Sequence, residues 1–200
     1  MTYDKETVKA WAGDSEWRAL RADHARFKLQ GYPVWSTEGY WAVLIYRLQR
    51  MLKSGQPRWL WLPARVLVAI LRRLFSMITR TYISAEAEIG PGLLIPHAAS
   101  IRVQPFTKLG ANCTILHGCT IGSGPLEGSA KIGDDVFLSC HSTIIGPITI
   151  GDGATVAANT LVISNVPARA TAIGVPAKMI PGLSKATPNP GGDMAQKNAG

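Results

Sequence analysis

The feature that most constrains the fold of this chain is an aliphatic residue that recurs every six positions from Ile83 onward. Such residues occupy positions 83, 89, 95, 101, 109, 115, 121, 132, 138, 144, 150, 156 and 162. A period of six fits neither an amphipathic helix nor an alternating strand. It is typical of a solenoid of short strands, in which three hexads form one triangular coil and residues three hexads apart stack on one face.

Two steps of this repeat are too long. Eight residues separate Ile101 from Leu109, and eleven separate Ile121 from Ile132. Extra residues in a solenoid must leave the wall as loops, and such loops commonly carry the function of the protein. The second loop covers residues Gly122 to Lys131.

Counting hexads with these insertions places His97, His117, Cys140 and Ala158 in one column, each two residues after a repeated aliphatic position. The aliphatic positions point inward, so this column faces out. We therefore expect the two histidines to stack one coil apart on an outer edge, beside both loops. His141 lies one residue off the column. A neutral imidazole in such a place can act as a general base, and a structural role for a surface histidine is the alternative.

Residues 1–82 are predicted to be helical. The segment 35–52 places five apolar residues near one helical face, namely Trp41, Leu44, Ile45, Leu48 and Leu52. The segment 59–78 carries an apolar stripe of Leu67, Ile70, Leu71, Leu74 and Ile78. This stripe either packs on its own domain or on a neighbouring subunit, or lies on an anionic membrane as a basic amphipathic helix.

The net charge of +8 is concentrated. Residues 45–80 contain eight lysines and arginines and no acidic residue, so this stretch is expected to face an anionic partner. No nucleic-acid-binding motif accompanies it, and we expect no nucleic acid. The polar N-terminus differs from a secretory signal, and three cysteines without metal-ligand spacing are typical of a reducing compartment. These features predict a cytoplasmic location, with contact to the inner face of the membrane. Residues 181–200 are predicted to be a disordered tail.

At two further places the chain resembles a known family. The phrases PGLLIPHAAS (Pro91–Ser100) and AIGVPAKMI (Ala172–Ile180), together with the position of both long steps, resemble the serine acetyltransferase branch of the hexapeptide-repeat acyltransferases. The resemblance implies a mainly β fold, with a left-handed parallel β-helix at 83–180 preceded by an α-helical N-terminal region. It also implies a homotrimer that uses acetyl-CoA, without a metal.

The resemblance assigns catalysis to His97, which matches the family's histidine and would take the proton from the acceptor hydroxyl. His117 is the second catalytic candidate. The aspartate that precedes the histidine in the family is Pro96 here. Another group must therefore orient His97, and Glu86, Glu88 and His117 are the candidates.

Coenzyme binding is also implied by the resemblance. The family lays the pantetheine arm in the groove between neighbouring β-helices, against small residues, and a lysine lies near the coenzyme's phosphates. The matching positions in this chain are Ser123, Cys140, Ala158 and Lys178.

The acceptor loop departs from the family. An arginine and a histidine hold the carboxylate of serine in the family, and Gly128 and Ser129 stand at these positions here. A carboxylate would lose charge-assisted hydrogen bonds worth about 1.5–3 kcal/mol. The residues expected to contact the acceptor are Arg102, Glu127 and Ser129.

The sequence therefore favours an acetyl-CoA-dependent O-acetyltransferase that modifies a sugar unit of a cell-surface polysaccharide, since a neutral sugar hydroxyl requires no carboxylate clamp. One alternative is a serine O-acetyltransferase of cysteine biosynthesis. The other is a solenoid that is non-catalytic or binds a metal through His97, His117 and His141.

Overall fold

The computed structural model describes residues 15–54, 61–123 and 128–182. The described part of the N-terminal region contains three helices, α1 (Glu16–Leu29), α2 (Glu38–Ser54) and α3 (Leu62–Thr79), and a short 3-10 helix at Val34–Ser36 lies between the first two. The helices predicted at 35–52 and 59–78 correspond to α2 and α3. Most of the predicted tail, residues 183–200, and the first 14 residues lie outside the described residues.

After the helices, the described residues contain fourteen short strands that form three sheets. Sheet A contains β1 (Tyr82–Ile83), β3 (Arg102–Val103), β6 (Thr120–Gly122), β9 (Thr143–Ile145) and β12 (Leu161–Val162). Sheet B contains β2 (Glu88–Ile89), β4 (Lys108–Leu109), β7 (Lys131–Ile132) and β10 (Thr149–Ile150). Sheet C contains β5 (Thr114–Ile115), β8 (Phe137–Leu138), β11 (Thr155–Val156), β13 (Thr171–Ile173) and β14 (Lys178–Ile180).

Strand pairing shows that the chain winds as a parallel β-solenoid. Strands β1 to β13 pair in parallel with strands one coil away, for example Ile121 with Val103 and with Ile144, and among the described strands only the β13–β14 pair is antiparallel. Every repeated aliphatic position from 83 to 162 is buried, with at most 7% of its surface exposed. The predicted fold class, a mainly β solenoid preceded by helices, is confirmed.

Both long steps leave the wall at the same corner, between sheets A and B. The first loop separates β3 from β4 and the second separates β6 from β7. The Ser129 hydroxyl donates a hydrogen bond to the Pro105 carbonyl at 2.9 Å, so the second loop is tied to the first.

The fully buried side of α2 is not the apolar face found in the sequence. Tyr40, Val43, Tyr46 and Arg47 are buried, whereas Trp41 is 40% exposed. The Tyr46 hydroxyl donates to the Ala87 carbonyl at 2.8 Å, and burial raises the pKa of Tyr46 to about 12. On its fully buried side α2 uses a tyrosine and an arginine to satisfy solenoid carbonyls, and apolar periodicity does not detect these contacts. Of the apolar face found in the sequence, Leu44 is half-buried and packs against the core.

The apolar stripe of α3 is exposed. Ile70 and Leu74 expose about half of their surface, while Val68, on the opposite side of the helix, is buried and Phe75 packs partly against the core. Packing of the stripe on its own domain, one of the predicted alternatives, is therefore wrong for the described residues.

Candidate active site

The predicted column of residues lies at the corner where the chain passes from sheet C to sheet A. Ile115 pairs with Leu138, and Leu138 pairs with Val156. The positions two residues further, His117, Cys140 and Ala158, therefore follow one another from coil to coil. A bridge between Leu94 and Thr114 sets the same register for the first coil, which contains His97.

The ring contact at this corner joins His117 to His141, not to His97. The two ring centroids are 5.2 Å apart in a T-shaped arrangement. The backbone N–H of His141 also donates to the backbone carbonyl of His117 at 2.9 Å. His141 adopts a left-handed backbone conformation, with a φ of 57°, which turns the chain at the corner. The register still places His97 one coil before His117 in the predicted column. The ring that contacts His117 is that of His141, which the prediction placed one residue outside the column.

The first coil takes a different path at this corner. In the coils that follow, the backbone N–H of His141 donates to the His117 carbonyl, and the backbone N–H of Asn159 donates to the Cys140 carbonyl. The equivalent donor, Gly118 N–H, bonds to the carbonyl of Ala99 rather than to that of His97. The turn around His97 is therefore shaped by its own sequence, in which buried Pro96 precedes the exposed histidine.

Buried side chains of α1 hold the segment that leads to His97. The Asp23 carboxylate accepts a hydrogen bond from the Leu93 N–H at 2.7 Å. Arg26 donates to the Gly92 carbonyl and, at 2.8 Å, to the Thr114 hydroxyl of the next coil. Since Asp23 and Arg26 are at most 2% exposed, these contacts fix the segment from inside the protein.

Arg47 of α2 completes this buried network. Its guanidinium lies 2.8 Å from the Asp23 carboxylate and 3.1 Å from that of Glu16. It also donates to the carbonyls of Ile89 at 2.8 Å and Gly90 at 2.6 Å. Charge attraction to Asp23 raises the pKa of Arg47 and opposes the effect of burial. This network could not be predicted from the sequence, because a buried arginine within a basic stretch has the same sequence pattern as a surface arginine.

Two carboxylates proposed to orient His97 have other partners. Glu86 pairs with Lys53 at 3.2 Å, and a hydrogen bond from Ser84 lowers the pKa of Glu86. Glu88 pairs with Lys108 at 3.1 Å. Among the described residues, no recorded hydrogen bond or ring contact reaches the His97 imidazole. The exposed imidazole is therefore open to a ligand or to another copy of the chain.

The residues predicted to bind the acceptor lie along or beyond sheet A. Arg102 is exposed on the outer face of this sheet, where its Cα pairs with Tyr82 and Thr120. Ser129 lies in the second loop at the far corner, and Glu127 lies outside the described residues. Six residues of extended chain, at most about 20 Å, separate the histidine corner from this loop corner.

The predicted coenzyme positions fall into two groups. Half-buried Cys140 and exposed Ala158 continue the outward column of His117 toward the C-terminal coils, and exposed Lys178 lies on β14 at that end. Three inter-strand spacings, about 14 Å, separate the coil of His97 from that of Ala158. Half-buried Ser123 lies apart from them, at the start of the second loop.

The surroundings of the other two cysteines and of His24 indicate structural roles. Cys113 and Cys119 are fully buried, and burial raises the pKa of Cys113 to about 12. The Nδ1 of His24 lies 3.1 Å from the Tyr40 hydroxyl, and partial burial lowers the pKa of His24. Within the described ranges, no group of three or more histidine, cysteine or acidic side chains could hold a metal.

Comparison with known proteins gives one family model and a consistent set of relatives. The model for the bacterial transferase hexapeptide (six repeats) matches residues 129–164. A serine acetyltransferase of Helicobacter pylori (strain J99) is 34% identical over 145 residues, which cover 71% of this chain and 81% of the relative. The chain spans 39–59% of the length of three other curated relatives, which are also serine acetyltransferases.

Two solved structures are similar to most of this chain. The serine acetyltransferase of Neisseria gonorrhoeae in complex with serine has a TM-score of 0.71 and 28% identity, and covers 82% of this chain and 69% of that chain. A serine acetyltransferase in complex with CoA has a TM-score of 0.70 and 25% identity, and covers 88% of this chain and 73% of that chain.

Proposed function

The chain belongs to the serine acetyltransferase family of hexapeptide-repeat proteins, and from that premise we propose that it transfers an acetyl group from acetyl-CoA to a hydroxyl. The observation that carries this proposal is the 34% identity to a serine acetyltransferase over 81% of that relative. The similar structure with bound CoA supports acetyl-CoA as the donor.

In the proposed reaction, His97 acts as the general base. Its neutral imidazole accepts the proton of the acceptor hydroxyl while the hydroxyl oxygen attacks the thioester carbonyl carbon. The new C–O bond forms, the C–S bond breaks, and the imidazolium returns its proton to the departing CoA thiolate. The exposed imidazole at the C–A corner supports this role, since it is accessible to both substrates.

The coenzyme would extend from His97 along the outward column. Cys140 and Ala158 have small side chains and lie along about 14 Å of this edge. Small side chains leave room for an extended acyl-pantetheine arm. The Lys178 ammonium, exposed on β14 at the end of the solenoid, would neutralise part of the charge of the phosphates.

We further propose that each active site is built from two copies of the chain. Within one copy, His97 and the second loop occupy opposite edges of sheet A. A neighbouring copy in a homotrimer would bring its loop, including Ser129, to the histidine edge. The acceptor and coenzyme would then bind between the copies.

Free serine is the acceptor that the comparisons favour, ahead of the sugar unit favoured by the sequence analysis. The matched relatives are serine acetyltransferases, and a similar structure contains serine. In this chain the exposed Arg102, on the sheet between the two corners, is the cation proposed to hold the carboxylate. It would take over from the loop arginine that is absent here.

A sugar hydroxyl is the second candidate acceptor. The observation that favours it is the uncharged pair Gly128 and Ser129 in the second loop. The Ser129 hydroxyl is already engaged with the Pro105 carbonyl, so it is a poor substitute for a cation. A neutral acceptor would be compatible with such a loop.

A direct assay distinguishes the two candidate acceptors. The purified chain is incubated with acetyl-CoA and either L-serine or neutral oligosaccharides, and free CoA thiol and acetylated product are measured by absorbance and mass spectrometry. The proposal predicts O-acetylserine at a rate far above acetyl-CoA hydrolysis, with a raised KM for serine in Arg102→Met. Acetylated oligosaccharide without O-acetylserine would establish the second candidate, and no transfer to either would contradict the acetyltransferase.

A further inference from the structure

The outer half of α3 forms an apolar surface that the rest of the described chain leaves uncovered. Its residues recur at helical spacing and expose between 45% and 83% of their area, and they include Leu67, Ile70, Leu71, Leu74, Met77 and Ile78. We call this set the α3 face. The opposite side of α3 packs on the protein through buried Val68 and half-buried Phe75. A helix with one apolar half exposed implies a partner.

The charged residues of α3, and Arg80 that follows it, are all basic. Arg73 and Arg80 are exposed, and no acidic residue occurs between positions 45 and 80. A partner must therefore be apolar and anionic at once.

We propose that the α3 face lies on an anionic membrane surface, with its axis in the plane of the bilayer. The apolar side chains would enter the boundary between headgroups and acyl chains, and the arginines would contact lipid phosphates. Exposed Trp61 immediately before α3 suits the same interface, where tryptophan is enriched. No helix among the described residues is long and apolar enough to cross a membrane.

A second copy of the chain is a weaker partner for this surface. Pairing two α3 faces would place Arg73 and Arg80 of both copies near one surface that contains no carboxylate from positions 45–80 to neutralise them. Lipid phosphates supply that negative charge together with an apolar interior. The charge complementarity therefore favours the membrane.

The test uses the full chain in vesicle sedimentation. Vesicles of phosphatidylcholine alone are compared with vesicles in which a third of the lipid is phosphatidylglycerol, at low and high salt. Binding is expected only to the anionic vesicles and is expected to weaken as salt rises. Arg73→Glu should weaken binding more than about fivefold, since each basic residue near such a surface contributes about that factor.

Exposed substitutions test the apolar contribution without disturbing the core. The double variant I70E/L74E is expected to lose at least about tenfold in vesicle binding, because two carboxylates would enter the interface. Phe106→Glu, on the first loop of the solenoid, is the matched control, since Phe106 is 73% exposed and lies outside α3. This control should bind like the wild type.

Three results would overturn the proposal. One is equal binding of the wild type and I70E/L74E to anionic vesicles. A second is the absence of vesicle binding by the wild type together with a smaller assembly mass for I70E/L74E in light scattering, which would show that a second copy covers the α3 face. The third is the absence of vesicle binding without any change in mass.

Discussion

Replacing Arg47 with methionine is predicted to destabilise the protein strongly, because the guanidinium neutralises a fully buried carboxylate. Asp23 is 0% exposed and its oxygen lies 2.8 Å from Arg47 Nε. Removing one partner of a buried ion pair costs about 3–5 kcal/mol. For a chain of this size, each kcal/mol lowers Tm by about 2–4 °C. The expected loss in Tm is therefore roughly 6–20 °C.

Thermal unfolding at neutral pH, followed by circular dichroism, measures this loss. Arg50→Met is the matched control, since Arg50 also pairs with Glu16, at 2.6 Å, but exposes 29% of its side chain. Water screens this half-buried pair more than the buried Arg47–Asp23 pair, so the control should lower Tm by fewer degrees than Arg47→Met. Adding Asp23→Asn to Arg47→Met should recover part of the lost stability, because it removes the buried carboxylate charge that Arg47→Met leaves unpaired. Equal Tm values for Arg47→Met and Arg50→Met would refute the reasoning.

Three further predictions concern the site and its support. If the coenzyme covers the outward column, CoA should slow the alkylation of Cys140 by iodoacetamide in the native protein. Mass spectrometry measures the alkylation rate, and equal rates with and without CoA would contradict the proposed position of the coenzyme. Because the pKa of His24 is lowered in the folded state, the unfolded state takes up the proton more readily and stability should fall as pH drops below about 6.5. His24→Gln should flatten that part of a Tm-against-pH curve, and an unchanged slope would assign the effect to other groups. Co-refolding inactive His97→Ala with an inactive bulky Ser129→Trp variant should restore about a quarter of the activity if the site is shared between copies, whereas a site within one copy would give none.

The solenoid was predictable because its signal is repeated. Each coil must place a branched side chain such as Ile115 or Ile144 in the same narrow interior, so a single sequence contains many independent instances of one constraint. The two long steps could be located for the same reason, and strand pairing places both loops at the A–B corner. The column of His117, Cys140 and Ala158 followed from counting.

The contacts that position the first coil were not predictable in this way. No repeat in the sequence marks the residues that make these contacts, Asp23, Arg26 and Arg47. Their burial depends on how α1 and α2 pack against Gly90–Leu94. Likewise, His141 contacts His117 because its left-handed backbone redirects the turn. Such single contacts depend on tertiary geometry, and hexad counting does not contain that geometry.

The assignment of His97 as the general base is tested most directly by its rate contribution. The rate of acetyl transfer from acetyl-CoA to L-serine is measured for the wild type and for His97→Ala, His117→Ala and His141→Ala, with circular dichroism confirming that each variant is folded. We predict a loss of more than about 10²-fold for His97→Ala and smaller losses for the other two. A folded His97→Ala variant that retains most of the wild-type rate, or a larger loss in His117→Ala, would contradict the assignment.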